Sequence, residues 1–325
     1  MDMKIRFYGA RGSHPTAVPI DRIEKIQKNI WDLARKSSAK TWSQFQKEIK
    51  TKPHSFASTY SCHTTCIEIL SEGSPMPIYV DMGTGLSAAA GDLASGLNND
   101  KFKADSGEAA FFITHTHWDH IIGLPTLYRL YKPGNEFHFY GAHKGLKKRI
   151  AGLFNKNYFP VEFDLLEDRL HFHELRKDEQ IPFGKLKIST ASQPHPGTSF
   201  AYRFEYNHKI FVIATDTDLS NTMASSFPKG KNIYSGATMV AVDSHFTHED
   251  YLQRKTHGHP SIERVVDFAA SEEINNIMLT HHNPAYDDEF LDALLESAYT
   301  YLRSKYGERH PLRFQLPIEG NQFNL

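Results

Sequence analysis

The run His115-Thr-His117-Trp-Asp119-His120 packs three imidazoles and a carboxylate into six residues, directly behind the apolar stretch Ala109–Thr114. That stretch has the length and content of a buried strand, so the cluster sits where a strand gives way to a loop. His115 and His117 are two apart, and an extended chain points such side chains the same way. Asp119 and His120 then follow from the turn. Neutral imidazoles beside a carboxylate are a donor set for divalent metal, and one segment of this shape can serve two neighbouring ions. The chain holds 19 histidines, and the ones that carry meaning are those clustered at ligand spacing.

The rest of the chain reads as strands framed by helices. Lys4–Tyr8, Cys66–Leu70, Ile78–Asp81, Glu136–Tyr140, Leu170–Leu175, Leu186–Ala191, Ser199–Tyr206, Lys209–Ala214, Met239–Val242 and Asn276–Thr280 are strand candidates. Leu86–Leu97, Gly123–Tyr131, Lys144–Phe154, Ser261–Ala270 and Glu289–Tyr306 read as helices. Between Pro19 and Lys52, Ile20, Ile23, Ile26 and Ile30 recur at helical spacing, and we expect a helical insertion over 19–52, packed as a cover on a β scaffold. No repeat or linker divides the chain, so residues 1–325 are expected to form one domain of two sheets covered by helices.

Lys+Arg number 37 against Asp+Glu 38, a formal net charge of -1. That gives no global basic footprint for gripping long nucleic acid. Cys62 and Cys66 are too few for a disulfide framework and read as reduced thiols. No apolar run approaches membrane-spanning length and Met1–Gly9 has no signal-peptide core, so the expected location is cytoplasmic.

The H-x-H-x-D-H order after a strand resembles the signature of the metallo-β-lactamase superfamily. The resemblance implies an α/β fold, a four-layer αββα sandwich, here with a helical insertion near the N-terminus. It also implies further ligands at later strand ends, and candidates stand in order: His195 after Leu186–Ala191, Asp216 after Ile210–Ile213, and His281 after Ile277–Thr280. By that resemblance His115, His117 and His195 hold one metal ion, Asp119, His120 and His281 hold the second, and Asp216 bridges them. His282 is the alternative to His281. Two divalent ions are implied, zinc by the histidine-rich set, with manganese or iron as alternatives.

Two departures narrow the branch. Asp216 stands where some lactam-hydrolysing relatives carry cysteine, and His117 where diiron oxidoreductases of the fold carry glutamate. Phe7-Tyr-Gly-Ala-Arg-Gly-Ser13, Tyr79-Val-Asp81-Met-Gly83-Thr-Gly85, Val242-Asp243-Ser-His-Phe and Gly258-His259-Pro-Ser261 resemble the phosphodiesterase and tRNA 3′-endonuclease branch. There His259 is implied as proton donor, Asp243 as the carboxylate that holds it, and Asp119 as a catalytic group as well as a ligand. His63 stands where relatives often have Asn. The expected activity is cleavage of a phosphodiester by a hydroxide shared between two ions. A small or cyclic nucleotide is favoured, because no Gly/Pro-rich basic arm is present and Lys144–Arg149 and Lys229–Lys231 are short. An acyl hydrolase acting on lactones, thioesters or β-lactams, and an RNA-processing endonuclease, are the alternatives. Homodimers are common among such relatives. His171 and His173 alternate with Leu170 and Phe172 and are expected on the outer face of a strand.

Overall fold

A computed structural model describes residues 3–95, 106–219 and 232–325. Two seven-stranded sheets stack face to face. The strands, in chain order, are β1 (Met3–Gly9), β2 (Cys66–Ser71), β3 (Ile78–Val80), β4 (Gly107–Phe112), β5 (Asn135–Gly141), β6 (Leu170–Glu174), β7 (Gln180–Phe183), β8 (Leu186–Gln193), β9 (Ser199–Tyr206), β10 (Lys209–Ala214), β11 (Met239–Asp243), β12 (Asn276–Thr280), β13 (Arg313–Gln315) and β14 (Gln322–Asn324). The first sheet runs β14-β1-β2-β3-β4-β5-β6 and the second β13-β12-β11-β10-β9-β8-β7. The helices are α1 (Ile20–Lys36), α2 (Trp42–Ile49), α3 (Leu86–Ser95), α4 (Trp118–Ile121), α5 (Leu146–Ala151), α6 (His248–Gln253), α7 (Ile262–Ser271) and α8 (Asp288–Tyr306).

Three apolar cores separate four layers, and strand alternation assigns each residue to its core. On β4, Ala109 and Phe111 join the core shared with α5, while Ala110 and Phe112 join the core between the sheets. On β11, Val240 and Val242 pack toward α7 and α8, while Met239 and Ala241 face the other sheet. Segments buried on both faces are apolar, which is why Ala109–Phe112 of β4, Phe211–Ala214 of β10, Met239–Val242 of β11 and Ile277–Leu279 of β12 form unbroken apolar runs in the sequence. The order helix, sheet, sheet, helix is the expected αββα sandwich. The helices expected in 19–52 are α1 and α2.

Some expectations change. Gly123–Tyr131 is not one helix but two 3-10 turns, Leu124–Thr126 and Tyr128–Tyr131. Leu127, extended at ψ 97°, separates the two turns. Gly96 and Leu97, read as the end of α3, and the run Lys229–Lys231 lie outside the described residues. His171 and His173 lie not on the outer face of β6 but on the face turned to the second sheet, level with Tyr140. That ring packs on Phe112 and on Phe183 of β7. Among the described residues no helix is long and apolar enough to cross a membrane.

Candidate metal centre

The strand ends that carry the sequence candidates converge at one edge of the sandwich. β4 delivers His115 and then, through α4, Asp119 and His120. β8 delivers His195, β10 delivers Asp216, β11 delivers Asp243 and β12 delivers His281. Asp81, Asp216 and His281 each turn out of a strand with positive φ, at 59°, 56° and 57°. Non-glycine residues in the left-handed region are uncommon and cluster where a site over-determines the backbone.

Asp216 is the hub. Its Oδ1 lies 3.7 Å from Nε2 of both His115 and His195, and its Oδ2 lies 3.1 Å from His120 Nε2 and 3.3 Å from His281 Nε2. Each oxygen therefore faces a different imidazole pair. Asp119 Oδ2 closes the second nest, 3.2 Å from both His120 and His281. His117 Nδ1 closes the first, 3.5 Å from His195 Nε2. Of the two adjacent histidines, His281 enters the cluster. His282 turns away, with its Nδ1 3.4 Å from Ser244 Oγ.

His281 Nε2 meets Asp119 Oδ2 at 3.2 Å and His120 Nε2 at 3.3 Å, and His195 Nε2 meets His117 Nδ1 at 3.5 Å. His115 Nε2 and Asp216 Oδ2 are buried without a hydrogen-bond partner. Donors bound to an ion at about 2.0–2.1 Å in a tetrahedron stand about 3.3–3.4 Å apart, close to the spacings seen here. The donor set would fit a pair of divalent ions: His115, His117 and His195 could hold one, Asp119, His120 and His281 the other, with Asp216 facing both groups.

The electrostatics fit as well. Burial pushes His115, His117 and His195 down, which keeps them neutral and ready to bind. Burial alone would raise Asp216, but His281, His120 and His115 outweigh it and hold the carboxyl well below its ordinary range. Against their own burial, the surrounding carboxylates push His281 up to about 9 and His120 well above the usual imidazole value. Metal binding must displace the protons held there. Zinc uptake at pH 7 is therefore expected to release protons, with affinity rising as pH climbs toward 9. Calorimetry in buffers of different ionisation enthalpy measures the release, and zero released protons would contradict a protonated imidazole in the metal-free site.

Behind the donors lies a supporting layer that sequence reasoning left without roles. Asp81 Oδ2 is 2.7 Å from His120 Nδ1 and accepts from Thr114 Oγ1 at 2.7 Å, while its Oδ1 accepts from the Thr114 N–H at 2.8 Å. It fixes the ring orientation of His120 from a fully buried position. The signal was present, since Asp81 follows β3 as Asp216 follows β10. Carboxylates behind ligating imidazoles typically govern about 10–100-fold in metal affinity. Asp81→Ala is expected to weaken the second ion by that factor, read by competition with a chromophoric chelator.

His259 Nδ1 donates to Asp243 Oδ2 at 2.7 Å, joining the pair singled out in the sequence. Asp243 also accepts from the backbone N–H of Asp216 and of His245, both at 3.0 Å. His245, missed from sequence, stacks on His259 with centroids 4.3 Å apart. Burial, helped by His259 and His281, pushes it down to about 3, so it stays neutral. Its Nδ1 lies 2.9 Å from the His281 carbonyl oxygen. Two glycines make room. A Cβ on Gly12 would stand 2.5 Å from His281 Cε1, and one on Gly258, at φ +81°, would stand 2.7 Å from His195 Nδ1. His63 Nδ1 meets Thr84 Oγ1 at 3.3 Å, and the Ser13 N–H donates to Asp119 Oδ2 at 2.8 Å. His14 Nδ1 lies 3.1 Å from the Pro15 carbonyl oxygen, and His54 Nε2 lies 2.9 Å from that of Thr59 with its ring against Tyr60.

Residues 78–282 match the family described as the Beta-lactamase superfamily domain. Ribonuclease Z of Pyrococcus horikoshii is 31% identical over 101 residues, 30% of this chain and 31% of that protein, so the match spans about a third of the relative's length. Ribonuclease Z of Thermoplasma acidophilum is 22% identical over 250 residues, 64% of this chain and 79% of that protein. Among solved structures, unliganded yeast PDE1 aligns with 100% of this chain and 99% of its own at a TM-score of 0.65 and 15% identity, a likeness of fold.

Proposed function

Since the chain belongs to the β-lactamase superfamily, we propose that it is a binuclear metal-dependent hydrolase that cleaves a phosphodiester bond, with a small or cyclic nucleotide as the favoured substrate. The observation that carries this reading is Asp216, whose two oxygens each face a separate imidazole pair. Zinc is the proposed ion, because five of the seven donors are imidazoles. Two divalent ions in such a site polarise a phosphoryl oxygen and lower the pKa of a bound water toward ~7. We take residues 1–325 as one domain carrying 19–52 as an insertion.

The protein's own groups supply the remaining needs of the reaction. His259 is the proposed proton donor to the departing alkoxide, and Asp243 fixes its tautomer by accepting from Nδ1, which leaves Nε2 to face substrate. Asp81 holds His120, and the Ser13 N–H holds Asp119. Exposed Arg149 donates to Thr116 Oγ1 at 3.0 Å, between His115 and His117. A guanidinium there is suited to a phosphate oxygen.

A second reading, cleavage of RNA, is favoured by the ribonuclease Z relatives. Hydrolysis by the zinc-loaded protein of bis(p-nitrophenyl) phosphate, of a cyclic nucleotide panel, of aryl esters and of a tRNA precursor separates the readings. Turnover of the phosphodiesters with tRNA binding that is weak at low salt supports the proposal. Tight, steeply salt-dependent tRNA binding with cleavage moves the substrate to RNA. Turnover of esters alone overturns the phosphodiester assignment.

A further inference from the structure

We propose a second, peripheral metal site on the first sheet, built on His138 and His173, which takes a borderline transition ion of the zinc class. The site lies on β5 and β6, one and two strands away from β4, on the face toward the second sheet and set back from the C-terminal strand ends where the metal centre gathers. It uses none of the same residues and does not depend on the proposed activity.

Sheet register assembles it. Parallel pairing sets His138 beside His171 and Tyr140 beside His173, and sets Glu108 of β4 beside Glu136 of β5. Side chains two apart on a strand share a face. Three imidazoles and two carboxylates therefore stand together on one patch of sheet. His138 Nδ1 and His173 Nε2 are 3.3 Å apart, about the separation of two nitrogens on one tetrahedral ion. The His171 ring stacks on His138 with centroids 4.8 Å apart, and its Nε2 is 2.6 Å from Glu136 Oε2. Glu108 Oε2 lies 4.0 Å from His138 Nε2.

The chemistry suits an ion that approaches from solvent. Tyr140 lies flat against His173, with centroids 4.3 Å apart and planes at 10°, and it is wedged against Phe183 of the second sheet. This side of the chelate is fixed by packing. The other side is open, since His171 and Glu136 are each 42% exposed. Imidazole nitrogens define the ion class, and the two carboxylates offset its charge. Burial keeps His138 and His173 below the ordinary imidazole value, so both are neutral donors at physiological pH. β6 is the outermost strand of its sheet, hydrogen-bonded only to β5 among the described residues. An ion shared by His138 and His173 ties that edge strand to its one neighbour.

The test is equilibrium dialysis of the fully loaded protein against graded free zinc. His138→Gln, His173→Gln and the exposed control His208→Gln are compared with the unmodified chain. A third, weaker equivalent is expected in the unmodified protein and in the control. In His138→Gln and His173→Gln its affinity should fall by about tenfold or more, while the tight equivalents remain. The midpoint of thermal unfolding should rise as the third equivalent fills, and that rise should vanish in both variants. In the unmodified protein the imidazole 15N signals of His138 and His173 should move together as this equivalent fills, a readout that stands even if a variant folds poorly. Saturation at the tight equivalents alone, a third equivalent undiminished in both variants, or unmoved His138 and His173 signals would overturn the site.

Discussion

Asp216→Ala is expected to abolish turnover and to reduce bound metal to at most about one ion per chain. Both imidazole nests close on this carboxylate, His115 and His195 at 3.7 Å on Oδ1, His120 and His281 at 3.1 and 3.3 Å on Oδ2. Without it, a site of mostly neutral donors must balance two dications, and removing a buried charge that pairs opposite charges costs far more than losing one contact. The metal-free variant also keeps His120 and His281 with fewer carboxylates around them, so their protons should leave at lower pH than in the unmodified chain. Elemental analysis, with circular dichroism to show that the fold survives, checks the claim. Two ions retained per chain would remove Asp216 from the bridging position.

The second large effect concerns proton transfer. His259→Ala is expected to lower kcat by about 10²–10⁴ while metal content stays at the unmodified level, because a positioned general acid typically contributes that much and His259 is not counted among the ligands. The loss should be greatest for substrates with poor leaving groups. A nitrophenolate departs without a proton, so the synthetic diester should suffer less than an alkyl diester. That contrast separates a proton donor from a residue that only shapes the pocket. Asp243→Asn should reduce kcat in the same substrate-dependent way but also loosen metal, since Asp243 holds the backbone N–H of Asp216 at 3.0 Å. Equal loss on both leaving groups in His259→Ala would assign His259 a structural part instead.

Legibility in the sequence followed a physical rule. Stretches buried on both faces are apolar, so the runs inside β4, β10 and β12 announced themselves, and the polar residues just beyond them were visible as candidates. His115 stood in the cluster behind β4, and the family resemblance directed attention to His195, Asp216 and His281 at later strand ends. Asp81 obeys the same rule after β3 and stands in the string Tyr79–Gly85, yet neither strand position nor resemblance gave it a partner; its hold on His120 is visible only in space. His245 acts only through space, stacked on His259, and chain spacing carries no trace of that contact. β13 and β14 span three residues each, too short for any period to show. The face of β6 could not be assigned from alternation either. His171 and His173 share a face in both readings, and only packing of Tyr140 against Phe183 settles that it is the face toward the second sheet.

The central claim is that one carboxylate joins two metal ions in a single catalytic centre. Its most direct test is metal stoichiometry paired with hydrolysis of bis(p-nitrophenyl) phosphate, before chelation, after it, and after adding zinc back. About two tight ions per chain are expected, with turnover lost when they are stripped and regained when both return. A protein that binds no metal on reconstitution, or that hydrolyses the diester equally well without it, would contradict the account.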